Sequence, residues 1–368
     1  MNNSSSPNTP IKLCAEAKII FEPISYRILL VIECVIAMLA IPPNLILLPA
    51  IHRTSAFPSN LRLLLSHFSA ALVWYSTGAA IKCIYLLEAP VCGFTMSIFG
   101  CKVMDLVCTV IALPIMFYTL AALCVERLYA SIRYRKYDTT AARKPWLSGV
   151  LIIFSWACSI GIHAILVPVH ALPTTEFVPI CESYFVPVQS VYVYSGYIVI
   201  ELSASIMTVI IHIHTRFVSR NMTINRARFD LSSRFQVDQN ARVNAVLLPS
   251  VILHSVCHLP AFLLVIISRS DFLIPLHIKL SLTRITHLWR LLYALGHPLL
   301  AFRFNTNLKQ QFFQSGTGKL FIRVKNLGAP KRVEGINTPA PKSDVHFNIL
   351  NKQWDTYEMS RPIKSTKF

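Results

Sequence analysis

Charge is scarce in this chain. Only 14% of its 368 residues are Asp, Glu, Lys or Arg, where a soluble domain carries about 25%. Acids are scarcer still, 17 against 35 Lys and Arg. No two of the ten cysteines have CxxC spacing, so a zinc ribbon or dithiol redox site is not indicated. A glycine-rich phosphate loop, a Ser nucleophile elbow, an internal repeat and a Gly/Ser linker are all missing. His254 and His258 stand at i, i+4 but lack the Glu of a metalloprotease helix. These absences argue against a cytosolic globule and against an enzyme, and they call for no cofactor or metal.

What the chain has instead is long apolar runs, with a mean hydropathy of +0.52. About 20 apolar residues suffice to cross a bilayer as a helix. Seven such runs are legible: Ile28–Ile51, Leu61–Leu87, Phe99–Val125, Trp146–Val169, Val191–His214, Val243–Ser268 and His277–Phe302. Pro42, Pro43 and Pro49 interrupt the first, and kink a membrane helix without forbidding it. Arg284, His287 and Arg290 interrupt the seventh. The expected fold is an all-α membrane protein, a seven-transmembrane helix bundle. It comprises a short N-terminus (1–27), the bundle (28–302), an amphipathic juxtamembrane helix (303–314) and a disordered basic tail (315–368). The opening residues are polar, without a basic stretch followed by an apolar core, so the first span is expected to direct its own insertion.

Orientation follows from the basic residues of the loops. Arg53 and Arg62 flank the first loop. Arg127, Arg133, Arg135, Lys136, Arg143 and Lys144 fall between spans three and four. Arg216, Arg220, Arg226, Arg228, Arg234 and Arg242 fall between five and six, and twelve more bases follow Phe302. The alternate loops hold almost none: 88–98 and 170–190 have no Lys or Arg, and Arg269 is balanced by Asp271. The basic set belongs in the cytoplasm, which puts the N-terminus outside and the C-terminus inside. The +18 net charge then reflects this bias and attraction to anionic membrane lipid rather than nucleic acid, because it is divided among loops that end membrane spans.

Charged residues set in from the ends of the spans are Glu33, Lys82, Asp105, Glu201, Arg284 and Arg290. Such groups face a bundle interior or a water-filled cavity. Three acids and three bases allow internal pairing; alternatively Asp105, Glu201, Arg284, Arg290 and Lys82 line a pocket for a small molecule with an apolar body and a polar handle. His163, His254, His258 and His287 read as hydrogen-bonded core residues. In the third span, about 39 Å separates Cys101 from Arg127 at 1.5 Å per residue. Glu126 and Arg127 thus reach the inner interface, where Arg127 is expected to snorkel toward water.

The third span ends in "ERLYASIRYRKYD". An acid–arginine pair there resembles the G-protein-coupled receptors, whose third helix ends in an acid–arginine–aromatic trio; here Leu128 follows the pair and the aromatic comes one place later, at Tyr129. Two stretches resemble landmarks of the nematode serpentine chemoreceptors of the Sra group. Glu126, Arg127, Ala130, Tyr137 and Asp138 supply the first. Leu231, Ser232, Arg234, Phe235, Gln236 and Asn240 supply the second, before span six. "FPSNLRLLL" opening span two is a looser echo. Departures are Asp138, Phe235 and Gln239, and "YALGHPLLAF" lacks the Asn-Pro-x-x-Tyr of rhodopsin-like receptors. Class epsilon is the nearest pattern, with beta and alpha-beta next.

The resemblance implies a chemosensory receptor in the plasma or ciliary membrane, with a small-molecule ligand outside and a heterotrimeric G protein inside. It implies that Glu126 and Arg127 switch helix packing, with Arg133, Arg135, Lys136 and Arg234 on the coupling face. It also implies a disulfide from the top of the third span to the following outer loop, for which Cys101 and Cys181 match; Cys92 is the alternative partner of Cys181. A transporter or ligand-gated channel, using the intramembrane charges as a substrate path, is the competing class.

Asn2 and Asn3 head overlapping glycosylation sequons, and Asn221-Met222-Thr223 is a third. With the N-terminus outside, glycosidase treatment of the expressed chain should remove sugar that depends on Asn2 and Asn3. Sugar on Asn221 would refute this orientation.

Overall fold

The computed structural model describes residues 24–54, 57–88, 96–134, 145–166, 177–178, 187–224, 231–269, 275–305 and 308–309. The chain divides into two compact units, Met1–Lys319 and Leu320–Phe368. All the helices below belong to the first, and the second lies outside the described residues.

The described helices are α1 (Ile24–Arg53), α2 (Ser59–Glu88), α3 (Ile98–Asp105), α4 (Ala112–Ile132), α5 (Trp146–Leu166), α6 (Pro187–Ile224), α7 (Leu231–Arg269) and α8 (Leu276–Phe304). A π-helical turn, Leu106–Val110, joins α3 to α4. The expected runs thus all fall on helices. Five rods are long and apolar enough to cross a membrane: Ile24–Arg53, Ser59–Glu88, Phe99–Ile132, Val191–Ile224 and Ser233–Ser268. The protein is a multi-pass, all-helical membrane protein. Helices α6 and α7 extend well beyond their apolar runs, to Ile224 and back to Leu231, because nothing in those basic flanks breaks a helix.

Packing closes a ring. Helix α1 lies against α2 and α8, α2 against α4, α4 against α6, α6 against α7, and α7 against α8. Helix α5 stands outside the ring on α2 and α4. The outer surface is apolar: Ile153 is 70% exposed and Val199 63%. The interior holds Glu33, Lys82, Glu201, Arg284 and Arg290. This inversion of the soluble pattern costs nothing in hydrocarbon, where outward Ile and Phe meet lipid tails.

Prolines shape the rods at identifiable points. Pro298 in α8 has no N–H for the carbonyl four residues back, Ala294. The Asn44 amide fills that place, donating to Ala294 O at 2.7 Å and to Ala40 O at 2.8 Å. In the third rod, Pro114 lies four residues after Val110, the end of the π turn. Its ring crowds that carbonyl and cannot bond it, so the turn before it opens, with Ile111 N–H reaching Leu106 O at 3.0 Å. The Trp74 indole N–H donates to Val107 O in the turn at 2.8 Å.

The π turn rests on α2 at Gly78. A Cβ there would stand 1.8 Å from Cys108 O, a backbone atom. At the other end of the bundle Arg303 and Phe304 close α8, and the chain bends at Asn305, whose Oδ1 accepts the Leu308 N–H at 3.1 Å as an N-cap would. Leu308 is buried and Phe304 exposed; residues 310–314 of the expected juxtamembrane helix lie outside the described set.

Gly78→Ala should force the third rod away from α2 and cost about 1–3 kcal/mol, the range for overpacking. A lowered melting temperature of the purified chain in detergent is the expected result; an unchanged one would mean the rods are not in backbone contact.

Candidate functional site

The buried charges occupy three levels of the ring, counted from the end where α1, α3, α6 and α8 begin, here the upper end. Glu33, Lys82, Asp105 and Arg284 lie six to nine residues from their helix ends, about 9–14 Å in. Lys82 Nζ donates to Asp105 Oδ1 at 2.7 Å, tying α2 to α3. Arg284 Nη1 donates to Glu33 Oε2 at 3.3 Å, tying α8 to α1, and its guanidinium lies 6.0 Å from the Tyr26 ring. All four are buried. Cys101, one turn above Asp105, is buried and disulfide-bonded; Cys92 and Cys181 lie outside the described residues. Just before α3, Met96 and Ser97 form a two-residue antiparallel ladder with Val178 and Phe177.

The middle level is aromatic and histidine-rich. Glu201 of α6 accepts from Ser255 Oγ at 2.7 Å, and His254 Nδ1 lies 2.9 Å from the same carboxylate. His258 Nδ1 bonds His254 O at 2.9 Å, and the two imidazoles stack at 3.9 Å. His287 Nδ1 meets Tyr75 Oη at 3.1 Å. His297 Nδ1 meets Ser250 Oγ at 2.7 Å. His254, His258 and His287 are hydrogen-bonded core residues, as expected from sequence, and His297, not singled out there, is another; the side chain of His163 lies outside the described set. Arg290 is 3% exposed, with its guanidinium 5.5 Å from the Phe262 ring and 6.0 Å from that of Tyr194.

At the lower level, Glu126 and Arg127 bond each other through two contacts. Arg127 Nε reaches Oε2 and Nη2 reaches Oε1, each at 2.5 Å. Both are buried, Arg127 at 4% exposure. The expectation that Arg127 snorkels is corrected here: the adjacent carboxylate neutralises it, and α6 and α7 pack over α4. Arg127 lines a small cleft with Leu123, Cys124, Thr208, Ile211, Asn244 and Val251. Asn240 Nδ2 donates to Ala130 O at 3.1 Å, holding α7 to the end of α4. Arg133 is exposed beside Tyr129 and Arg234 is half-buried; Arg135 and Lys136 lie outside the described residues.

Of the five pocket candidates, the structure joins Lys82 to Asp105, engages Arg284 with Glu33, and surrounds Glu201 with His254 and Ser255. The histidine partner of Glu201 was missed in the sequence, since nothing in a spacing relates α6 to α7. Trp74 and Trp156, stacked at 5.6 Å, were missed as well, with Trp156 donating to His67 Nε2 at 2.9 Å. Among the described residues no three His, Cys, Asp or Glu side chains converge as a metal site.

Removing one partner of a buried pair leaves an uncompensated charge at a cost of about 3–5 kcal/mol. Lys82→Met alone should therefore lower the melting temperature sharply, and Lys82→Met with Asp105→Leu should restore most of it. Equal losses in the single and double variants would show that the pair does not couple α2 to α3.

Comparison with known proteins adds two findings. Residues 97–355 match the family model described as Sre G protein-coupled chemoreceptor. Serpentine receptor class alpha/beta-14 of Caenorhabditis elegans is 25% identical over 156 residues, 40% of this chain and 39% of that protein. The chain thus spans well under half the length of the curated relative it matches. The family match covers the third rod with its Glu126–Arg127 pair, all the later helices and the landmark segment at the start of α7, and the chain belongs to the Sre G protein-coupled chemoreceptor family.

Proposed function

We propose that the protein is a seven-span chemosensory receptor of the plasma or ciliary membrane, and that it binds a small external chemical and signals through a heterotrimeric G protein. Within the serpentine receptors we assign it to class epsilon of the Sra group, on Glu126 to Asp138 and Leu231 to Asn240. The upper end of the bundle is extracellular, with Asn2 and Asn3 glycosylated and Cys101 bridged to Cys181; the lower end faces the cytosol.

The observation that carries this reading is the buried Glu126–Arg127 clasp beneath α6 and α7. A charge pair sealed at the end of one rod by two others has two states: covered, as here, or opened toward a partner. Ligand bound at the upper levels shifts this equilibrium by its differential affinity for the two packings, and nothing is turned over. Arg133, Arg135, Lys136 and Arg234 supply a basic face for the partner once α7 moves. A transport path is less favoured, because the pairs Lys82–Asp105 and Glu33–Arg284 cross-link neighbouring helices rather than line a continuous channel.

In cells expressing the full chain, ligand-evoked calcium release should need a G protein, and Arg127→Ala at equal surface level should weaken it by roughly 5–150-fold, the range of a 1–3 kcal/mol coupling. Saturable uptake or a ligand-gated current in cells lacking that G protein would overturn the receptor reading.

A further inference from the structure

Four Lys or Arg side chains are buried in the described bundle: Lys82, Arg127, Arg284 and Arg290. Three have a carboxylate within 4 Å, on Asp105, Glu126 and Glu33 respectively. Arg290 has none among the described residues, and its Nε and Nη2 have no hydrogen-bond acceptor. A guanidinium cannot shed its proton, so its charge in a low-dielectric interior demands a counter-ion.

The two donors left open are a matched set. Nε–H and Nη2–H lie on one edge of the guanidinium and point the same way, the fork that receives both oxygens of a carboxylate. Arg127 uses these same two atoms to hold Glu126. Among the described residues Arg290 presents the fork to no side chain.

Its surroundings define what would fill it. The rings of Phe262 from α7 and Tyr194 from α6 lie 5.5 and 6.0 Å from the guanidinium. Tyr75 of α2, whose hydroxyl meets His287 Nδ1, is a further neighbour of Arg290. Phe262 continues into Phe117 at 4.9 Å and Tyr197 at 5.8 Å, an aromatic wall that accepts an apolar body. Helix α8 begins at the upper end and its side chains lean toward that beginning, so the guanidinium is directed upward from residue 290. Tyr194 and Phe262 lie seven residues from the upper ends of their helices, about 10 Å in.

We propose that Arg290 is the anchor for a small carboxylic acid, held by its carboxylate on the Nε–Nη2 edge with its aromatic or aliphatic body against Tyr194, Phe262 and Phe117. The inference deepens the receptor reading and rests on it for the direction of entry. The ligand supplies the negative charge that the protein gives its other buried cations. Amides and esters of the same acids, being neutral, leave the guanidinium unpaired and bind poorly.

The test uses the full-length chain purified in detergent, with melting temperature as the readout and benzoate, octanoate, benzamide and octanamide as probes. Benzoate or octanoate at millimolar concentration should raise the wild-type melting temperature by several degrees while the amides do not, and Arg290→Gln should abolish the shift. Without probe, Arg290→Gln should melt at or above wild type, since it removes an unpaired charge, whereas Arg284→Gln strands Glu33 and should melt lower. The anchor is refuted if neither acid shifts the wild type, if amides act like acids, if Arg290→Gln keeps the shift, or if Arg290→Gln melts as low as Arg284→Gln. Carboxylate binding without any G-protein response would leave the anchor standing and sink the coupling reading; responses confined to neutral compounds would do the reverse.

Discussion

The structure depends on the neutralisation of charge away from water. In a helix bundle whose outer face is Ile, Val and Phe, ionised groups can be carried only inside, and each needs a partner. Lys82 finds Asp105, Arg284 finds Glu33, Arg127 finds Glu126, and Glu201 finds His254 and Ser255. Because most of these partners sit on different helices, satisfying the charges also fixes which rods are neighbours. The hydrophobic effect cannot do this in lipid, where apolar surface is equally well solvated by tails and by other helices. Polar contacts and close packing specify the assembly.

The same logic extends to the backbone. Proline in a membrane helix orphans a carbonyl, and the bundle supplies a donor where it can. Asn44 reaches from α1 to the carbonyl that Pro298 frees in α8, and so links two helices already joined by Glu33 and Arg284 higher up. At the π turn, the Trp74 indole serves the Val107 carbonyl. The levels of the ring are thus connected by bonds from helix to helix, and a change in packing at one level bears on the others.

Much of this was legible in the residues. Apolar length placed a helix at each expected run, and the positions of Glu33, Lys82, Asp105, Glu201, Arg284 and Arg290 marked the interior groups. The choice of partners was not legible. Glu33 and Arg284 are 251 residues apart in the chain, and no periodicity relates one helix to another. A count of three acids and three bases allowed internal pairing or a ligand pocket; among the described residues Glu201 takes a histidine and Arg290 has no carboxylate within 4 Å. The π turn left a trace, Pro114, that reads in sequence as a kink rather than as a change of helical pitch. The apolar runs did not mark where α6 and α7 end, because basic flanks continue an α-helix past its apolar part. The snorkelling of Arg127 was misread because the one-residue offset to Glu126 did not suggest a bidentate bond.

Gly78 gives the upper half of the bundle a mechanical character. Side chains usually cushion helix against helix, and by changing rotamer they absorb small displacements before these spread. Where the π turn meets Gly78 there is no such buffer, since peptide presses on peptide. Any tilt of the third rod must therefore be handed on to α2 almost undiminished, as between two gears meshed without play.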